Sequence, residues 1–188
     1  VTPAMVAEAK PDAVIVATGS NPLVLPIPGI NDTGVIHAGD LLDGKAAVGK
    51  KVLVVGGGMV GCEVADFLGE LGHEVSVIEL RDQLGPDVIP EHRKFLMKDF
   101  DTYKVQGVTG AKVAQFFTDG VSYTLADGTE GRLEGFDNVV LAMGYRNNDT
   151  ISEEIKKIVA ETYVIGDAVK ARKALDATAE GLNAALEI

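Results

Sequence analysis

Lys51-Val52-Leu53-Val54-Val55-Gly56-Gly57-Gly58-Met59-Val60-Gly61 is the stretch that decides the fold of this 188-residue chain. Preceded by Lys50, it passes from Lys51 through an apolar run and turns sharply at three glycines. A helix-like segment follows from Cys62 to Leu71, with Val60, Val64, Leu68 and Leu71 on one face. A second β-rich run, Glu74-Val75-Ser76-Val77-Ile78, then ends on Glu79. Strand, Gly-rich turn, helix, strand and acid is the order of a dinucleotide-binding βαβ unit. Gly56 permits the tight turn, Gly58 lets backbone approach a diphosphate, and Gly61 lets the helix lie close to the sheet. The free N–H groups at the helix start would face the phosphates, whose charge the helix dipole favours, and Met59 and Val60, within the motif, are counted with the glycines as cofactor-binding candidates.

Context gives the motif its weight, because the chain holds 22 glycines and chance matches are expected. Glu79 lies 18 residues beyond Gly61, near the spacing of a carboxylate that holds an adenosine ribose. A carboxylate there accepts from the ribose hydroxyls and repels a 2′-phosphate, which favours NAD(H) over NADPH. Arg81 could reach a 2′-phosphate if Glu79 turned aside, but a solvated loop arginine is the simpler reading.

The net charge of −11 argues against nucleic acid or an anionic membrane surface as a partner. No apolar run approaches the roughly 20 residues that a membrane-spanning helix needs. The N-terminal Val1-Thr2-Pro3 has no basic start or apolar core of a leader, so cytoplasm is the expected compartment. A lone Cys62 leaves no disulfide framework, Cys-rich metal site or redox pair within the chain, and reads as a small buried residue. His37, His73 and His92 show no catalytic context, and no catalytic residue or metal ligand is expected. A homo-oligomer is compatible with the sequence.

Further along the chain, residues 13–17 read as a buried strand closed by Thr18-Gly19-Ser20. Pro22, Pro26 and Pro28 make the next stretch extended. Residues 40–42 suggest a short helical turn and 91–99 a helix. Two alternating runs, 112–117 and 121–125, flank Asp119-Gly120, and Asp127-Gly128 turns the chain again, the pattern of an antiparallel meander. Residues 138–142 return as a buried strand, 163–165 form a short one before Gly166-Asp167, and 173–188 read as a helix. Leu175, Ala179, Leu182 and Leu186 form the apolar stripe of that last helix. The fold class is α/β: a Rossmann-like parallel sheet with helices on both faces, an antiparallel meander insertion, and remnants of a second dinucleotide-binding domain. The expected segments are 1–35, 36–145 and 146–188.

The segments Val14-Ile15-Val16-Ala17-Thr18-Gly19-Ser20, residues 54–63, Val140-Leu141-Ala142-Met143-Gly144-Tyr145-Arg146 and Val164-Ile165-Gly166-Asp167-Ala168 together resemble flavoproteins of the pyridine nucleotide-disulfide oxidoreductase superfamily. In these an NAD(P)-binding domain is inserted into an FAD-binding domain. The run from Gly166 to Ala177 is most similar to the C-terminal region of NADH:flavin oxidoreductases of the old yellow enzyme type, such as 2,4-dienoyl-CoA reductase and trimethylamine dehydrogenase. The resemblance covers essentially the whole chain. It implies that Gly56, Gly58 and Gly61 hold the NAD(H) diphosphate and Glu79 the ribose. It places Met143 and Gly144 along the NAD cleft and Glu63 near the nicotinamide–flavin meeting point, although a helix-surface carboxylate explains Glu63 equally well. Thr18 and Gly19 match a small-residue crossing between domains. Gly166 and Asp167 match the turn that holds the flavin ribityl chain, with a simple helix cap as the alternative for Asp167.

The resemblance also implies a larger parent. The FAD fingerprint, an FMN-binding barrel and the cysteines of an iron–sulfur cluster would all lie upstream, and the upstream domains would be this fragment's partners. Arg146-Asn147-Asn148 lacks the proline common in the family. The expected activity is hydride transfer between NAD(P)H and flavin in the parent, and the isolated fragment is not expected to turn over alone. Alternatives are a non-catalytic ADP- or NAD-binding module and a disulfide reductase, the latter disfavoured by the missing cysteine pair.

Overall fold

The computed structural model describes residues 1–31 and 34–188; Asp32 and Thr33, within the expected first segment, lie outside the described residues. In chain order the elements are α1 (Pro3–Ala9), β1 (Ala13–Val16), β2 (Ser20–Pro22), β3 (Ile36–His37), α2 (Ala38–Leu42), β4 (Lys51–Val55), α3 (Met59–Glu70), β5 (Glu74–Ile78) and α4 (Pro90–Tyr103). There follow β6 (Gln106–Val108), β7 (Ala111–Phe117), β8 (Gly120–Leu125), β9 (Glu130–Leu133), β10 (Asn138–Leu141), β11 (Tyr145–Asn147), α5 (Ser152–Ile155), β12 (Glu161–Val164) and α6 (Ala174–Glu187). They form two compact units, Val24–Gly144 and Val1–Leu23 with Tyr145–Ile188.

The unit Val24–Gly144 is built on a parallel sheet ordered β3-β10-β4-β5-β6. Both faces of its strands are apolar, as a parallel sheet covered on two sides requires. Val52, Val54, Val75, Val77 and Val140 point to a core shared with α2, α3 and α4 through Leu41, Val64, Leu68 and Phe100. Leu53, Val55, Ile78, Val139 and Leu141 point the other way, against Ala111, Phe116 and Val121. Those last residues belong to β7 and β8, so the expected architecture differs in one respect. Helices cover one face, and the three-stranded antiparallel sheet β7-β8-β9 covers the other. The meander takes that place because alternation in β7 and β8 gives it a single apolar side. It turns at Asp119-Gly120 and Asp127-Gly128, and Gly128 has a φ of +85°.

The proline-rich stretch also belongs partly to this unit. Ile30 is buried in the meander-side core, and Phe116 N–H donates to Pro28 O at 2.8 Å. The compact unit therefore begins at Val24, whereas the sequence reading ended its first segment at residue 35.

In the other unit, β1 and β12 pair in parallel and β2 and β11 pair antiparallel. Val6, Val16, Ile155 and Val159 form its small core. The burial expected of residues 13–17 is incomplete, since Ile15 is 43% exposed. The stripe on α6 is also corrected. Leu175, Leu182 and Leu186 are exposed, and the buried residue of the helix is Ala184. Small residues let α6 approach the turn after β12: the Cβ of Ala177 would lie 3.2 Å from a Cβ placed on Gly166. Close approach of small residues has selected the face, and the leucines stand on the other side.

Candidate dinucleotide site

The Gly-rich turn leaves β4 at the carboxyl edge of the parallel sheet, where ligands of such sheets lie. Its glycines answer to different neighbours. Gly56 has a φ of +104°, and a Cβ there would lie 2.4 Å from Ala142 O. At Gly61 a Cβ would meet Gly56 O at 1.8 Å, because the first turn of α3 rests on the loop. Both positions are needed by the fold itself. At Gly58 a Cβ would meet only half-exposed side-chain ends, Arg81 Nη2 at 3.2 Å and the Asp87 carboxylate at 3.4 Å. Nothing rigid forbids a side chain at Gly58, and the space beside it opens on a cleft.

Helix α3 starts at Met59, ahead of the expected start at Cys62, because extended Gly58 serves as its N-cap (φ −72°, ψ −170°). Met59 and Val60 therefore stand in the first turn, and Gly58, Met59 and Val60 all line the cleft. The cleft encloses about 430 Å³, within the roughly 300–1,000 Å³ usual for small-molecule sites. Its walls are mostly apolar, from Leu25, Ile27, Val55, Ile78, Val113 and Met143, with Glu79, Arg81, Asp87 and Lys112 as its charged groups. Gly144, with a φ of +92°, closes one end of the segment that carries Met143.

Glu79 is 6% exposed and is wired into the turn. Its Oε2 accepts the Gly57 N–H at 2.5 Å, and its Oε1 accepts both the Arg81 N–H and Arg81 Nε at 2.9 Å. Burial pushes the carboxyl pKa up, but the bonds from Arg81 and Gly57 prevail and hold it below the ordinary glutamate value. It is an ionised acceptor at neutral pH. Arg81, expected as a solvated loop arginine, is half-exposed but bound to Glu79, and its Nη2 lies 3.9 Å from Asp87 Oδ1.

Cys62 lies under the same turn. It is fully buried, its Sγ donates to Gly57 O at 3.3 Å, and burial first of all pushes the thiol pKa up to about 11. That keeps it a thiol and unreactive at neutral pH. Glu63 is exposed on α3. His73 is bonded through Nδ1 to Gly49 O at 2.8 Å, in the turn between α3 and β5 at the opposite edge of the sheet.

The remaining expected residues belong to the other unit. Thr18 donates through Oγ1 to Asn148 O, and Asn148 N–H donates to Gly19 O at 2.9 Å. Gly166 has a φ of +63° and donates to Glu180 Oε2 at 2.7 Å. Asp167 accepts from Ser20 Oγ at 2.9 Å and from Arg172 N–H at 3.1 Å. It thus ties β2 to the segment before α6, which a simple cap would not do. Sequence reasoning missed Asp87, Lys112 and Ser20. Asp87 stands in a stretch without periodicity, and its contact lies 28 residues away at Met59, so no local pattern signals it.

Residues 5–180 match the pyridine nucleotide-disulphide oxidoreductase family. The chain belongs to this family. It is 35% identical over 193 aligned residues to an NADH oxidase of Thermoanaerobacter brockii, covering 97% of this chain and 29% of that protein. Among solved structures it matches a 2-naphthoyl-CoA reductase in complex with 2-naphthoyl-CoA, at a TM-score of 0.91 and 29% identity, over 100% of this chain and 28% of that one. Thioredoxin reductase of T. acidophilum shares the fold at a TM-score of 0.71 and 20% identity, over 93% of this chain and 64% of that one. The chain thus spans less than a third of the first two relatives. The family drawn from the four sequence motifs is borne out. Among the described residues no helix is long and apolar enough to cross a membrane, and no cluster of ligating side chains suits a metal ion.

Proposed function

We propose that this chain is the NAD(H)-binding part of a larger flavin-dependent oxidoreductase, in which hydride passes between NADH and flavin. One observation carries the reading: a side chain at Gly58 would meet only flexible side-chain ends, yet none is there, and the position opens on an apolar cleft with the buried, ionised Glu79 at its edge. A turn that no rigid neighbour forces to be bare suits a ligand whose backbone contacts leave no room for a Cβ.

The residues fit the group. The backbone of Gly56, Gly58, Met59, Val60 and Gly61 would hold the diphosphate, with the α3 dipole favouring its charge. Glu79 would accept from the adenosine ribose through lone pairs not used by Gly57 and Arg81, and its charge disfavours a 2′-phosphate. Met143 and Gly144 would line the path toward the nicotinamide end, and the family resemblance would put Glu63, exposed on α3 and outside the cleft lining, near the same end. Nicotinamide and flavin supply the hydride chemistry when bound. The chain positions the dinucleotide, and apolar walls from Val55, Ile78 and Met143 exclude water. Hydride transfer itself requires no protein acid or base.

In the parent, Gly166 and Asp167 would contribute to an FAD site, with Thr18 and Gly19 nearby in sequence to β1. The old yellow enzyme type, with FMN and an iron–sulfur cluster upstream, is the subgroup we favour, on the motif from Gly166 to Ala177. A cytoplasmic setting goes with that assignment.

Parallel calorimetric titration of the 188-residue chain with NADH and NADPH tests the reading. Saturable binding, tighter for NADH, is expected. An equal or stronger response to NADPH overturns the role of Glu79, and no binding of either overturns the proposal. In the parent, NADH should bleach flavin absorbance; binding without bleaching would favour the non-catalytic module.

A further inference from the structure

The first main-chain donor of α3 already has an anionic partner. Met59 N–H donates to Asp87 Oδ1 at 3.0 Å. In the dinucleotide reading, on which this inference rests, that N–H faces the diphosphate. The carboxylate also stands over Gly58, where a Cβ would lie 3.4 and 3.5 Å from its two oxygens. Arg81 Nη2 lies 3.9 Å from the same Oδ1. A side-chain anion therefore stands where the ligand's anion is expected.

The fold, and not local sequence, brings Asp87 there. Gly85 N–H donates to Gly57 O at 2.7 Å, and Arg93 Nε donates to Leu84 O at 2.8 Å. The first bond pins the turn after β5 against the Gly-rich loop and the second ties it to α4, and Asp87 faces the loop at Gly58 and Met59. Its side chain is 51% exposed, so it can swing into solvent without unfolding anything. A carboxylate and a diphosphate cannot share one N–H, and in a partly apolar cleft their repulsion is only partly screened.

We propose that Asp87 is an internal competitor for the diphosphate cradle, displaced when dinucleotide binds, and that it lowers affinity for every ligand carrying that diphosphate. The helix end is kept satisfied in the free chain, and only a ligand with enough further contacts, at Glu79 and along the apolar walls, displaces the carboxylate. Arg81, then left with Glu79 alone, keeps Glu79 oriented for the ribose.

A helix cap with no bearing on ligands would behave differently, and two variants separate the cases. Asp87→Asn keeps the size and an acceptor oxygen without the charge; Asp87→Ala removes both. Calorimetry on the wild type and each variant, with NADH and with ADP, is paired with thermal unfolding without ligand. The expected result is a lower Tm together with a Kd for NADH and ADP tightened on the order of tenfold. Hydrogen exchange at the Met59 amide should speed up in the free Asp87→Ala chain and slow again with NADH. Unchanged or weaker binding in both variants overturns the proposal while wild-type NADH binding leaves the dinucleotide reading standing. Failure of wild type and variants alike to bind NADH removes the reading and the proposal together.

Discussion

The buried carboxylate of Glu79 accepts the main-chain N–H of Gly57 at 2.5 Å, joining the end of β5 to the Gly-rich turn that follows β4. One side chain thus fixes the shape of the turn and, in the proposed function, presents an acceptor to the ribose. Stability and ligand recognition are coupled at this residue.

That coupling predicts the effect of Glu79→Ala. The change leaves the Gly57 N–H without its acceptor and releases Arg81, at a cost of about 1–3 kcal/mol. Urea denaturation of the two chains at pH 7 measures it. The pH dependence has a definite sign. The folded pKa of Glu79 is depressed, so its stabilisation is present above the unfolded glutamate value of about 4.3. It is lost as pH falls through the folded pKa. The stability gap between wild type and variant should be constant from about pH 6 to 8 and close in strong acid. A gap that widens in acid contradicts this account.

The glycines of the turn should divide into two classes. Gly61→Ala drives a Cβ into Gly56 O at 1.8 Å, and should cost about 3 kcal/mol or more. Gly58→Ala meets only mobile side-chain ends, and should cost no more than about 1 kcal/mol through the weaker N-cap. The same Gly58→Ala chain should lose NADH affinity by roughly tenfold or more, as one displaced close contact would give. Calorimetry and unfolding on both variants check the division. Equal losses of stability would show that the turn is constrained throughout by the fold.

Much of this architecture is legible in the sequence because it is periodic or local. The 51–79 unit combines an apolar strand, a Gly spacing and a helical stripe, each of which names its own neighbour. The Asp-Gly turns of the meander are equally local. What the sequence does not reveal depends on residues far along the chain. Which layer covers the second face of the sheet depends on Phe116 and Val121 meeting Leu53 and Leu141. The exposed leucines of α6 mislead because periodicity marks a stripe without saying which face packs, and Ala177 and Ala184 win by close approach. Asp87 reaches Met59 only because the turn at Gly85 docks on Gly57.

Asp66 on α3 predicts a stabilising substitution. Its Oδ1 is buried without a hydrogen-bond partner. Burial first, then the charges of Asp99 and Glu70, raise its pKa. The charged form is therefore strained in the folded chain. Asp66→Asn should raise Tm by a few degrees at pH 7. Because the folded pKa is raised, wild type gains stability as pH falls through it, so the advantage of the variant should shrink in acid. Thermal unfolding at about pH 7 and pH 4 tests both parts. A variant less stable at neutral pH would mean that Asp66 has a favourable role.

The choice between NADH and NADPH should turn on the pair Glu79 and Arg81. In the folded chain Glu79 holds Arg81 through Oε1 at 2.9 Å, so one charge repels a 2′-phosphate and the other is not free to attract it. Glu79→Ser removes the repulsion and releases the guanidinium together, while a hydroxyl remains to accept the Gly57 N–H at shorter reach. Two charge effects then act in the same direction. The ratio of NADPH to NADH affinity should rise by about one to two orders of magnitude, as expected when a like-charge repulsion disappears and an opposite-charge pair forms near the surface. Adding Arg81→Ala to Glu79→Ser should return the part of that increase that the released arginine supplies and leave the part due to the lost repulsion. Calorimetric Kd values for both dinucleotides across the wild type, the single variant and the double variant form the test. A double variant that keeps the full increase would show that Arg81 takes no part and that repulsion by Glu79 alone sets the preference.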